Sequence, residues 1–168
     1  GRPVTITGGD MWYCGSEADG VDGVRAEVRK LVKEGADFIK IMATGGSTRT
    51  SYPGRPSYTV DELRVIVDEA HRFGKLTAAH CASVKGTENC VAAGVDMIIH
   101  CVFEDEHGRY EFRQDLAEKL AAAKAWVNPT LHVVQAGIEH AEARGRERGR
   151  LTEEEKRAIE RSKRSLEN

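Results

Sequence analysis

Short apolar segments alternate with longer amphipathic segments along most of the chain. The apolar segments are rich in aliphatic and β-branched residues, which is typical of buried strands. Between them, apolar residues recur at helical spacing, as at Val24, Val28 and Leu31, which predicts helices that lie on a sheet. Five strands are predicted, over residues 4–7, 38–42, 76–80, 95–101 and 126–130. Strands that alternate with helices indicate parallel pairing in βαβ units.

Capping residues mark the ends of the predicted helices. Thr59 and Glu62 form a capping-box sequence that predicts a helix start, and Gly74 predicts where that helix ends. The other helices before the last strand are predicted over about 21–34, 86–93 and 112–124. After Leu131 most residues are helix formers, and a break near 149–152 predicts a C-terminal helical hairpin.

The number of units decides the fold class. A (β/α)₈ barrel takes about 31 residues per unit, so five units in 168 residues are too few to close a barrel. A doubly wound open sheet is the alternative, but neither GxGxxG nor a P-loop follows a strand. We therefore expect an α/β protein with a partial (β/α) TIM-type barrel of about five βα units. The expected domains are a partial TIM-type barrel over 1–131 and a C-terminal helical extension over 132–168.

Composition narrows the classes of partner. A net charge of −2 lacks the basic footprint of a nucleic-acid binder, and no apolar run reaches the roughly 18 residues of a spanning helix. We expect a small-molecule substrate, with neither nucleic acid nor membrane as partner. The four cysteines form no CxxC pair, which favours reduced thiols in a cytoplasmic protein over disulfides. They are Cys14, Cys81, Cys90 and Cys101.

Three residues that suit a metal lie at or near the C-terminal ends of predicted strands: Lys40, His80 and His100. Reactive groups of barrel enzymes gather at that edge. One histidine there is more often a core residue, but two on neighbouring strands favour a metal site, and imidazole is a preferred ligand of zinc. Burial of the Lys40 ammonium should cost several kcal/mol. A lysine at this position therefore has a structural explanation, in which it forms an ion pair or extends its side chain out of the strand end. It also has a functional explanation, in which its pKa is lowered and the neutral amine acts as a nucleophile or is modified.

The segments around these residues resemble a known family. Residues 35–46 (Gly-Ala-Asp-Phe-Ile-Lys-Ile-Met-Ala-Thr-Gly-Gly), the pair Ala79-His80 and residues 94–100 are similar to the fourth-, fifth- and sixth-strand motifs of metal-dependent amidohydrolases. The similar members are imidazolonepropionase and the prolidase-type dipeptidases. Two further segments fit the same pattern: 17–20 and 128–131. The resemblance covers roughly strands three to seven of that family's barrel.

The resemblance implies a hydrolase that cleaves amide, ester or phosphoester bonds through a metal-activated water. It implies a site for Zn²⁺ or another divalent metal, in a binuclear form. Lys40 would take up carbon dioxide as a carbamate that bridges the ions, and His80 and His100 would complete the coordination of one ion. All three are therefore expected to be metal ligands and catalytic residues.

The sequence also departs from the family's pattern. It has no counterpart of the His-x-His pair of the first strand or of the metal-binding Asp of the eighth. Asp10 stands after Gly8-Gly9 where a histidine is usual, Ala82 where the dipeptidases have a carboxylate-binding tyrosine, and Ile99 where glutamate is common. Five residues are candidates to replace the missing ligands: Asp10, Cys14, Cys81, Cys101 and His132.

Two functions stay open at this point: a working hydrolase, or a non-catalytic half-barrel fragment of an amidohydrolase. Five strands leave two unpaired edges, near 4–7 and 126–130, and a concave face open to water. A second copy of the chain would cover both, so we expect a homo-oligomer. The rival explanation is that the missing strands lie on another piece of a longer protein.

Overall fold

A computed structural model describes residues 1–167 and contains a parallel sheet whose strands alternate with helices. The strands are β1 (Val4–Thr5), β2 (Ser16–Glu17), β3 (Ile39–Met42), β4 (Thr77–Cys81), β5 (Met97–His100) and β6 (Trp126–Asn128). Their order in the sheet is β2-β1-β3-β4-β5-β6, and every neighbouring pair is parallel. The expected α/β class with a partial TIM-type barrel is confirmed.

The helices are α1 (Gly20–Lys33), α2 (Val60–Arg72), α3 (Val84–Ala93), α4 (Gln114–Ala122), α5 (Leu131–Glu147) and α6 (Glu153–Glu167). The predicted capping box starts α2: the Glu62 amide donates to Thr59 Oγ1, and the Thr59 amide donates to the Glu62 carboxylate at 2.9 Å. Gly74 follows the end of α2 in the left-handed region, where glycine carries no steric cost. Among residues 1–167, no helix is both long and apolar enough to cross a membrane.

One face of the sheet packs against α1 to α4. The residues that form this core have at most a few per cent of their surface exposed, and each fully buried aliphatic side chain contributes roughly 1.5–3 kcal/mol. From the strands they include Ile39, Ile41, Ala79, Cys81 and Ile98, and from the helices Val24, Val28, Leu31, Leu63, Ile66 and Leu116. Because side chains alternate along a strand, the residues between them face the other way.

That opposite, concave face carries two of the predicted site residues, Lys40 and His80. Strand register aligns two rows across it. The lower row is Lys40, Ala78, Met97 and Trp126, and the upper row is Met42, His80, Ile99 and Asn128. The upper row lies nearer the C-terminal edge of the sheet, so His80 is one pleat closer to that edge than Lys40.

The expected edge at residues 4–7 is wrong. β1 pairs with β3 on one side and with β2 on the other, so β2 forms that edge. Ser16 and Glu17 have no apolar pattern, and they reach β1 only because the turn that follows it folds back, with the Ser16 amide donating to the Pro3 carbonyl. At the other end β6 pairs with β5, and all three of its residues are exposed.

The chain divides into two compact units, Gly1–Asn128 and Pro129–Asn168. The second unit contains the predicted helical hairpin, α5 and α6. At its turn Gly149 has a positive φ of 72°, and Arg148 forms an ion pair with Glu155 on α6. The domain boundary expected after residue 131 lies close to this division and stays a prediction.

Candidate metal centre

His80 and His100 lie side by side at the C-terminal edge of the sheet. Their rings meet edge to face, with centroids 4.7 Å apart and planes at 75°. His80 points from the concave face at the end of β4. His100 ends the neighbouring strand β5, so parallel pairing brings both rings to one edge.

Backbone conformation turns His100 toward this edge. Register places it opposite Cys81, which faces the helices, and strict alternation would put His100 on that face too. Instead His100 has φ 71° and Cys101 φ 52°, both left-handed. Such conformations cost roughly 1–2 kcal/mol per non-glycine residue. In this conformation the His100 ring contacts the ring of His80.

The His80 ring has a defined hydrogen-bond partner. Its Nε2 lies 3.0 Å from the Gly45 carbonyl oxygen, which can only accept, so Nε2 carries the proton. Nδ1 then keeps its lone pair, the form in which imidazole binds a metal. Burial, followed by the nearby His100, lowers the pKa of His80 to about 4. Burial, followed by the Lys40 charge, also lowers the pKa of His100. Both rings are therefore neutral near pH 7.

Lys40 lies on the same face, one row below His80. Burial lowers its pKa to about 8, against the opposing effects of Cys81, Cys90 and Asp10. Its charge in turn lowers the pKa of both histidines, so the ammonium acts on the same space as the two rings. Among the described residues no carboxylate forms an ion pair with Lys40, so an ion pair does not explain its position on the strand. Lys40 also borders a cavity of about 240 Å³ beside Leu31 and Phe38.

Of the five residues expected to replace missing ligands, Asp10 lies close enough for its charge to act on both histidines, and His132 belongs to the second unit. Cys81 and Cys101 belong to the helix-facing core, and Cys14 is exposed. Within residues 1–167 no cluster of three or more His, Cys, Asp or Glu side chains is placed to hold a metal ion. Two neutral imidazoles and the Lys40 amine therefore suit some of the coordination positions of a divalent ion. They do not supply all of the ligands that such an ion needs.

The loop over residues 44–57 covers the site from the β3 side. Thr44 is fully buried, and its hydroxyl accepts from the Ala82 amide at 3.0 Å, two residues after His80. A Cβ at Gly45 would collide with the backbone of Tyr52, so only glycine fits there and presents its carbonyl to His80. The role of Gly45 was not predicted from the sequence, although the Gly45-Gly46 pair, which follows the end of β3 after two intervening residues, was a signal for close backbone packing.

A separate cavity of about 400 Å³ is formed after β4 and β5. Its lining residues are Val84, Phe103, Asp105, Arg109, Tyr110, Glu111 and Arg113. The two arginines already have partners: Arg109 pairs with Asp105 at 2.7 Å, and Arg113 pairs with Asp115 at 2.7 Å. The rest of this cavity is lined by Val84, Phe103, Tyr110 and Glu111, and its two aromatic rings suit an apolar or aromatic group.

Comparison with known proteins identifies relatives of this chain. A sequence profile of the Amidohydrolase family matches residues 3–161. Ochratoxinase from Aspergillus niger is 38% identical over 90 residues, which are 53% of this chain and 19% of the length of ochratoxinase. The chain thus spans less than one fifth of this curated relative in the aligned region.

Solved structures have the same architecture. The crystal structure of A. niger ochratoxinase superposes with a TM-score of 0.76 at 21% identity, over 99% of this chain and 40% of that chain. At this identity the match shows the fold alone. A Xaa-Pro dipeptidase with methionine bound in its active site has a TM-score of 0.73 at 25% identity, over 84% of this chain and 37% of that chain.

Proposed function

The chain belongs to the amidohydrolase family, and we propose that its sheet edge is part of the active site of a metal-dependent hydrolase. The observation that carries this proposal is the pairing of His80 and His100, two neutral imidazoles whose rings lie 4.7 Å apart at the ends of adjacent parallel strands. Buried, unprotonated imidazoles are the form that binds divalent ions, zinc in particular. A bound ion would acidify a water molecule and polarise the scissile carbonyl.

The role proposed for His80 follows from its hydrogen bond. Donation of Nε2–H to the Gly45 carbonyl orients the ring and leaves Nδ1 as the ligand atom. His100 supplies the second imidazole from the neighbouring strand. The remaining ligands would come from the modified Lys40 or from a second copy of the chain.

We propose that Lys40 is carboxylated. A pKa of about 8 leaves roughly one amine in ten neutral at pH 7, against fewer than one in a thousand at the ordinary value. The neutral amine adds to carbon dioxide, forms a carbamate and releases one proton. The product is an anion beside a cation-binding site, which removes the cost of a buried, unpaired ammonium.

The substrate proposed is a small molecule with an amide bond. The name of the similar Xaa-Pro dipeptidase denotes cleavage of a peptide bond, and this favours amides over esters and phosphoesters. Phe103 and Tyr110 of the 400 Å³ cavity would contact an apolar or aromatic part of the substrate. Ala82 has no polar group to hold a carboxylate, so we do not propose a dipeptide.

The second candidate is a half-barrel without catalytic activity. The incomplete ligand set within residues 1–167 favours it, as does the open concave face. In either case the exposed β6 edge and Trp126, 73% exposed, need a cover. We propose that a second copy of the chain supplies it.

Metal analysis of the purified chain tests the proposed function. After loading with Zn²⁺ and removal of free ion, near-stoichiometric zinc together with hydrolysis of small aromatic amides supports the hydrolase. Absence of zinc after loading supports the non-catalytic half-barrel. His140→Ala is a matched control, since His140 is exposed in the second unit and should retain the zinc content of the wild type.

A further inference from the structure

Asp10 is buried although it is a carboxylate on a loop. It follows β1 and is 2% exposed. Its Oδ1 accepts the Thr48 amide at 2.9 Å, and its backbone carbonyl accepts the Thr5 hydroxyl at 2.8 Å. The next residue repeats the connection, because the Met11 amide donates to Thr48 Oγ1 at 2.8 Å. Asp10 therefore ties the loop after β1 to the loop after β3.

The same carboxylate packs on the residue beside the His80 partner. A Cβ at Gly46 would collide with Oδ2 of Asp10, so the carboxylate lies directly against the Gly46 backbone. Gly46 adjoins Gly45, whose carbonyl accepts from His80 Nε2 at 3.0 Å. A contiguous path therefore runs from the Asp10 carboxylate through two glycines to the imidazole.

We propose that Asp10 is a positioning residue: it holds residues 45–48 so that the Gly45 carbonyl stays on His80 Nε2 and the Nδ1 atom faces the metal position. This proposal rests on the proposed function only in taking Nδ1 of His80 to be the atom that binds the metal. In this proposal Asp10 acts by positioning and not as a ligand, since within residues 1–167 no group of three or more His, Cys, Asp or Glu side chains is placed to hold a metal ion. Its effect on the metal is exerted through the ring of His80. An asparagine keeps an oxygen that can accept the Thr48 amide, whereas an alanine keeps neither the acceptor nor the packing on Gly46.

The test has two readouts on the full chain, and the first needs no metal. In zinc-free, ¹⁵N-labelled protein, the His80 Nε2 proton should give a slowly exchanging NMR signal, because it is buried and hydrogen-bonded. Asp10→Ala should lose this signal, and its Zn²⁺ affinity, measured by competition with a chromogenic chelator, should fall about 10- to 100-fold. Asp10→Asn should keep the signal and hold its affinity within about threefold of wild type. Asp22→Ala, an exposed aspartate on α1, should match the wild type.

Gly46→Ala tests the same contact without removal of Asp10, since its methyl group would displace the carboxylate. It should lose the Nε2 proton signal as Asp10→Ala does, with circular dichroism confirming that both variants are folded. Retention of the signal in folded Asp10→Ala or in folded Gly46→Ala would overturn the positioning role. Loss in Asp10→Asn equal to that in Asp10→Ala would also overturn it. If the wild type binds no zinc, the proposed function fails, while the NMR readout still decides the role of Asp10.

Discussion

The imidazoles of His80 and His100 are in edge-to-face contact, although strand register places His100 opposite Cys81 on the helix side of the sheet. The left-handed backbone at His100 and Cys101 accounts for the difference. Ring contact between two half-buried, neutral histidines has little value for packing that an apolar pair could not provide, and it is the contact on which the proposed metal site rests.

Lys40 should destabilise the metal-free fold. Its lowered pKa corresponds to a burial cost on the order of 3 kcal/mol at neutral pH, reduced by the exposed part of the side chain. Lys40→Met should therefore raise the free energy of unfolding by about 1–2 kcal/mol in urea titrations at pH 7. Lys85→Met, at an exposed lysine on α3, should change it by less than about 0.5 kcal/mol. A destabilised Lys40→Met would contradict the assignment of Lys40 as an unpaired buried cation.

The stability of the metal-free chain should fall with acid in a window set by His80. Its pKa is about 4 in the folded state and about 6.5 unfolded, so the unfolded state takes up a proton first as the pH falls. The destabilisation of the folded state by His80 is absent above pH 6.5 and grows as the pH falls from 6.5. It levels off below pH 4, at up to about 3 kcal/mol.

Urea titrations from pH 7.5 to 4 measure this contribution by difference. His80→Gln keeps every carboxylate of the wild type, so the difference between the two pH profiles isolates His80. Superimposable profiles would show that the ring is not buried in its neutral form.

The central strands, and the positions of two candidate site residues on them, were predictable from the chain alone. Apolar runs located β3, β4 and β5, and the polar residues within or at the end of these runs are Lys40 on β3 and His80 on β4. Three features were not predictable. Ser16–Glu17 has no apolar run, and its pairing depends on a turn folded back by tertiary contacts. The Gly45 carbonyl and the turned His100 depend on residues that are distant in sequence, and no local pattern encodes them.

A carboxylated Lys40 predicts a specific rescue. Lys40→Ala should lose hydrolysis by at least about 100-fold, because a bridging anion is missing. Short carboxylic acids such as propionate should restore part of the rate by filling the same space. Lys40→Arg should show no rescue, since guanidinium stays charged and cannot add carbon dioxide. Full activity in Lys40→Arg would exclude the carbamate.

Self-association should depend on the exposed edge strand. Light scattering should give a mass above the 18.5 kDa of one chain, and Trp126→Glu should shift it to 18.5 kDa by placing a charge on β6. Phe73→Glu, at an exposed aromatic residue that follows α2, should leave the assembly intact. A folded wild-type chain that scatters as a monomer would refute association with a second copy.

X-ray absorption at the zinc edge of the loaded chain tests the central claim most directly, because it counts imidazoles around the ion. The wild type should show two imidazole ligands with zinc–nitrogen distances of about 2.0–2.1 Å. His80→Ala and His100→Ala should each reduce that count by one or lose the zinc. A wild-type spectrum without imidazole scattering, or spectra unchanged in both variants, would contradict a metal held by His80 and His100.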